Sequence, residues 1–122
     1  MADIRASLNA ALSIDGCIGA ALVDLESGMC LGTAGKPGFD LELAAAGNAD
    51  VVHSTRKIRE KLELHTSLED ILISLAGQYH LIRMVGATMF FYVVLDRSKA
   101  NLAMARLELA QLEKALEIDW AG

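Results

Sequence analysis

At 122 residues the chain is one domain's worth, long enough to hold a core without disulfide or metal staples. Its net charge of −5 at pH 7 argues against nucleic acid, which rewards clustered lysine and arginine. The apolar content is 53% with only 5% aromatics, so the excess lies in aliphatic side chains, which suit either a well-filled core or an apolar subunit interface.

The segment from about Asp3 to Ser13 reads as a helix, with Ile4, Leu8, Ala11 and Leu12 on one face and Arg5 and Asn9 opposite. Asp15-Gly16 ends it. Cys17 to Leu25 follows as a strand with no polar alternation, expected to be covered on both faces. Glu26-Ser27-Gly28 supplies a hairpin turn, and Met29 to Ala34 is the returning strand. Cys17 and Cys30 are the only cysteines, and their spacing fits neither a redox motif nor a zinc site. They read as small hydrophobes in strands.

Gly35-Lys36-Pro37-Gly38 punctuates the chain and holds its only proline. A long helix is expected after it, capped by Asp40, carrying Glu42 in its first turn and running to about Leu64. Leu41, Ala44, Asn48, Val51, Thr55, Ile58 and Leu62 recur at alternating spacings of three and four, a heptad seam, with Ala45, Ala49 and Val52 as a second stripe beside it. Two readings stand: one wide face packed on the chain's own sheet, or one stripe on the sheet and the other against a partner helix. Small residues such as Ala44, Ala45 and Ala49 permit the close approach the second requires. Arg56, Lys57, Arg59 and Lys61 form a basic run inside an acidic protein. Such a run is either a solvated face or a field suited to an acidic partner.

Three strands come next. Glu69 to Leu75 places Ile71, Ile73 and Leu75 on one side. Tyr79 to Val85 sets Tyr79, Leu81 and Val85 on one face and His80, Ile82 and Met84 on the other. Thr88 to Leu95 is β-branched, aromatic and apolar throughout, as a central strand buried on both faces would be. A last helix is expected from about Lys99 to Glu117 with Ser98 as N-cap. Leu102, Ala105, Leu109, Leu112 and Leu116 form its stripe, widened by Ala103, Leu107 and Ala110. The order α-β-β-α-β-β-β-α, with strands in hairpin-linked runs, predicts a single α+β domain over residues 1–122: an antiparallel five-stranded sheet covered by helices on both faces.

No phosphate-cradling loop of the Gly-x-x-x-x-Gly-Lys type occurs, so the chain does not read as a GTPase itself. His53, His65 and His80 show no zinc-site spacing, and no Gly-x-Ser-x-Gly elbow is present. Asp24 with Glu26, and Glu69 with Asp70, read as solubilising or capping groups near strand ends. Nothing supplies a nucleophile with a base and an orienting group, so no catalytic residue, metal or cofactor is expected. The start of the chain lacks the apolar segment of a secretory leader. The longest apolar stretch, Met84 to Leu95, is too short to span a bilayer and is broken by Gly86 and Thr88, which places the protein in the cytoplasm.

Three stretches resemble one known family. The run Gly19-Ala-Ala-Leu-Val-Asp-Leu-Glu-Ser-Gly28 is similar to the first hairpin of Roadblock / dynein light chain proteins, and Tyr79-His-Leu-Ile-Arg83 to a later strand pair. Val94-Leu-Asp-Arg-Ser-Lys-Ala-Asn-Leu-Ala-Met-Ala-Arg106 resembles the family's last strand and the start of its last helix. The likeness covers about residues 5 to 117, and the Ala-rich middle helix and compact length look bacterial. The resemblance implies profilin-like layering. It also implies a homodimer in which the middle helices pair, through Leu41, Ala44, Ala45, Asn48, Val51, Val52, Thr55, Ile58 and Leu62, and the sheets join at the third strand, around Ile71 and Ile73. Bacterial members of the family bind small Ras-like GTPases and stimulate hydrolysis, and others act only as scaffolds. The expected function is therefore non-catalytic regulation of a Ras-like GTPase, with Arg56, Lys57, Arg59 and Lys61 facing the partner. A structural adaptor is the alternative. A small-ligand sensor would need a polar-lined cavity, of which the small-residue core gives little sign.

Overall fold

A computed structural model describes residues 3–121 of the chain, with side chains described through residue 116. The elements are α1 (Ile4–Leu12), β1 (Cys17–Asp24), β2 (Cys30–Gly35), α2 (Leu41–Lys61), β3 (Asp70–Ser74), β4 (Gln78–Val85), β5 (Met89–Asp96) and α3 (Leu102–Ala121). The order expected from sequence holds throughout.

Each helix starts where a short polar side chain can take up free backbone amides. Asp3 Oδ1 accepts from the Ala6 amide at 2.7 Å, and Asp40 Oδ1 accepts from Glu42 and Leu43 at 3.0 and 3.1 Å. Glu42 in the first turn of α2 and Arg59 and Lys61 in its last complement the helix dipole. That helix stops at Lys61 rather than near Leu64. Glu63 turns into the left-handed region (φ 56°), and the amides of Glu63 and Leu64 fold back onto the carbonyls of Glu60 and Arg59. This is the Schellman arrangement, here without its usual glycine.

The start of α3 is also corrected. Ser98 does not cap it: its amide and hydroxyl both bond Asp96 Oδ1, at 3.0 and 2.7 Å, which holds a turn after β5. The cap is Asn101, whose Oδ1 accepts from Met104 at 3.1 Å. Along α3, Leu102, Ala105, Leu109, Leu112 and Leu116 lie on the sheet, while Ala103 and Leu107 face outward, the latter 54% exposed.

The five strands form one antiparallel sheet in the order β2-β1-β5-β4-β3. β5 is central, and Phe90 through Leu95 are fully buried. Strand alternation divides the core in two. On one face α1 and α3 cover Leu22, Leu81, Phe91, Val93 and Leu95. On the other, Ala45, Ala49 and Val52 of α2 cover Ala21, Val23, Phe90 and Tyr92. At the end of β2, Gly35 has φ +83°, and a Cβ there would lie 2.5 Å from the Ile18 carbonyl oxygen and 2.7 Å from Leu12 Cδ1, so only glycine fits.

Candidate interaction surface

Helix α2 lies over β1 and β2. The rest of that sheet face, on β4 and β3, is only partly covered: Ile71, Ile73 and His80 are half-buried, and β3 is an edge strand. An edge strand leaves a row of backbone donors and acceptors able to pair with another chain. The result is a shallow trough between α2 and the sheet edge.

A polar line crosses this apolar face. The Tyr92 hydroxyl is 2.9 Å from His80 Nδ1, His80 Nε2 is 2.8 Å from Gln78 Oε1, and the Asn48 side chain of α2 lies toward the tyrosine oxygen. The bonding is consistent in one direction: the Tyr92 O–H donates to Nδ1, and Nε2–H donates to Gln78. The Phe39 ring stacks on His80 at 5.7 Å between centroids. Burial pushes His80 down from its ordinary value, so its imidazole is neutral near pH 7, and pushes Tyr92 up to about 12.

The heptad positions fall into two groups. Leu41 and Asn48 are buried and Ala44 is half-buried against the chain's own core, where Ala45 and Val52 of the second stripe are buried as well. Val51, Ile58 and Leu62 are 36%, 59% and 62% exposed, a line of aliphatic side chains down the C-terminal half of α2. Thr55 lies between them and donates to the Val51 carbonyl at 2.8 Å. The first stripe thus passes from sheet to open surface along the helix.

The basic run also divides. Arg56 Nη1 donates to the Ala87 carbonyl in the β4–β5 turn at 3.0 Å, and Arg59 Nη1 to the Thr66 carbonyl at 3.3 Å. Both lie against the protein, whereas Lys57 and Lys61 are exposed.

Sequence reasoning missed a charged network on the α3 side. Arg83, with its side chain 15% exposed, bonds Glu113 Oε1 at 3.1 Å and lies 4.0 Å from Asp70 Oδ2. Arg106 meets both Asp70 oxygens with its fork, at 3.2 and 3.3 Å. Asp70 is therefore a tie between β3 and α3 rather than a solubilising group. Arg83 among the apolar residues Leu81, Ile82, Met84 and Val85 was the available signal. Among the described residues no cluster of three or more His, Cys, Asp or Glu side chains is arranged to hold a metal. No described helix is long and apolar enough to cross a membrane.

Three helices on an antiparallel sheet of order β2-β1-β5-β4-β3 make this the Roadblock/LC7 fold. No family model and no curated protein sequence matches the chain. Among solved structures it is similar to Myxococcus xanthus MglB, with a TM-score of 0.87 at 18% identity over 97% of this chain and 94% of that one. A Roadblock/LC7 domain from Streptomyces avermitilis superposes with a TM-score of 0.85 at 14% identity, covering 99% of this chain and 100% of the other. The gliding protein MglB of Thermus thermophilus gives 0.79 at 18% identity, over 93% of this chain and 85% of that one.

Proposed function

We propose that residues 1–122 form a single Roadblock-type domain that acts without catalysis, as a cytoplasmic homodimer that binds a small Ras-like GTPase and modulates its hydrolysis. The observation that carries this reading is the half-covered sheet face beside the exposed Val51, Ile58 and Leu62. A second copy would cover that face through α2 and through β3 at Ile71 and Ile73. Apolar burial of this kind stabilises by roughly 25 cal/mol per Å². The likeness to bacterial MglB supports a GTPase-associated role.

Regulation without a catalytic group works by differential binding. A partner that favours one conformation of the GTPase shifts its population toward the state that orients water and phosphate. The test is capture from the native host, followed by single-turnover GTP hydrolysis by the captured GTPase with and without this chain. A changed hydrolysis rate supports regulation. Binding with an unchanged rate makes the protein a structural adaptor, and capture of no GTPase overturns the reading.

A further inference from the structure

A hollow of about 460 Å³ opens beside the C-terminal half of α2, bounded by Arg56, Arg59, Arg83, Leu68, Met84 and Ala87 among others. Its arginines differ in what they already hold. Arg83 is engaged by Glu113 and Asp70, and Asp70 by Arg106, so the charge of Arg83 is already matched, although its Nε donates to no described protein atom. Arg56 and Arg59 have no carboxylate partner among the described residues. Each is anchored by one bond to a backbone carbonyl, Ala87 for Arg56 and Thr66 for Arg59. A guanidinium has five N–H donors, so both keep spare ones. The Nε of Arg56 is buried and donates to no described protein atom, so it can report on an occupant but not reach one, and the donors open to an occupant are the remaining Nη hydrogens.

We propose that Arg56 and Arg59 form a carboxylate-binding site whose occupant is an aspartate or glutamate side chain of a protein partner. This rests on the proposed function, in which the chain works by binding another protein. The anchored forks lose little freedom on binding, and a planar guanidinium matches a carboxylate edge to edge. Leu68 and Met84 give the hollow an apolar wall suited to the aliphatic stem of an acidic side chain. A net charge of −5 opposes a polyanion such as nucleic acid or an anionic membrane. Two carboxylates of the chain also border the hollow: Glu113 is held by Arg83 at 3.1 Å, and Glu69 leans toward Arg83 at 3.8 Å with 77% of its side chain exposed. Lys57 and Lys61 stand outside the site as exposed point charges.

The experiment follows the Arg56 Nε–H signal by NMR in the whole chain. The probes are a capped peptide of alternating alanine and glutamate, its glutamine counterpart, and inorganic phosphate. Saturable movement is expected with the glutamate peptide alone. Arg56→Lys, which keeps the charge and removes the fork, should weaken peptide binding about tenfold, as should Arg59→Gln, while Lys57→Gln and Lys61→Gln leave it unchanged. Circular dichroism confirms that each variant is folded. An unmoved signal overturns the proposal. So does equal loss in the lysine variants, which means diffuse attraction, and so does equal binding of phosphate, which means a small-anion site. The two readings also fail separately. A GTPase captured equally by wild type and Arg56→Lys removes the site and leaves the regulator. Peptide binding with no GTPase captured from the host does the reverse.

Discussion

The Tyr92 hydroxyl and His80 Nδ1 lie 2.9 Å apart, so a residue of the central strand fixes the protonation pattern of a histidine on its neighbour. Burial lowers the His80 pKa in the folded protein below its ordinary 6.5, so the unfolded chain binds the proton more readily. Stability is then full above about pH 6.5 and falls as pH drops from there toward the folded value. His80→Gln should flatten this part of the profile. Urea unfolding of both proteins at pH 7.5 and 5.5 measures it, and an equal acid loss in the variant would clear His80 of the effect. Tyr92→Phe should cost about 1–2 kcal/mol at pH 7.5 by leaving the half-buried His80 Nδ1 without its donor.

The oligomeric state should answer to the exposed half of the α2 stripe. Val51→Glu and Ile58→Glu place charges where this chain alone leaves solvent access, so each variant should keep its circular dichroism spectrum. Each should also shift the mass seen by light scattering from twice 13.1 kDa toward 13.1 kDa. An unpaired charge desolvated in an interface costs several kcal/mol. Val52→Glu is the contrast, because Val52 is fully buried in the chain's own core and its variant should unfold. Folded, dimeric variants at both Val51 and Ile58 would move the interface elsewhere.

Two glycines should respond oppositely to alanine. Gly47 sits inside α2, and a methyl group placed on it meets nothing within 4 Å, so Gly47→Ala should stabilise by roughly 0.5–1 kcal/mol through helix propensity and reduced freedom of the unfolded chain. Gly35→Ala meets the Ile18 carbonyl at 2.5 Å with a left-handed backbone and should cost more than about 2 kcal/mol. Thermal unfolding of both reads the signs directly. A destabilised Gly47→Ala would indicate that another surface closes on that side of the helix.

The fold was legible because each strand shows either a two-residue alternation or an unbroken apolar run. Tyr79 to Val85 alternates, and its two sets of side chains occupy opposite faces as the pattern requires. The uninterrupted apolar run from Met89 to Leu95 marked the central strand. Helix ends were less legible. Ser98 and Asn101 are both good caps, and only the competing bond from Ser98 to Asp96 decides between them. The candidate surface was legible in residue type but not in use. Spacing placed Leu41 and Ile58 on one stripe, yet one is buried on the sheet and the other stands open, because the sheet lies beneath only part of the helix. Spacing likewise treated Arg56 and Lys57 alike, and could not foresee a carbonyl 31 residues away that draws Arg56 inward.

The central place of β5 has a consequence for how the chain assembles. β1 and β2 form a hairpin, and β3, β4 and β5 form a meander, so each group can pair from neighbouring sequence. The two groups join only where β1 meets β5, from Cys17 against Leu95 to Asp24 against Met89, with all of α2 in the loop between. Closing so long a loop costs entropy before any contact repays it, so this docking is expected to come after the two local groups have paired. During synthesis the first hairpin therefore waits, with one edge unsatisfied, until β5 leaves the ribosome. That waiting hairpin is an exposed strand edge of the kind from which aggregation starts.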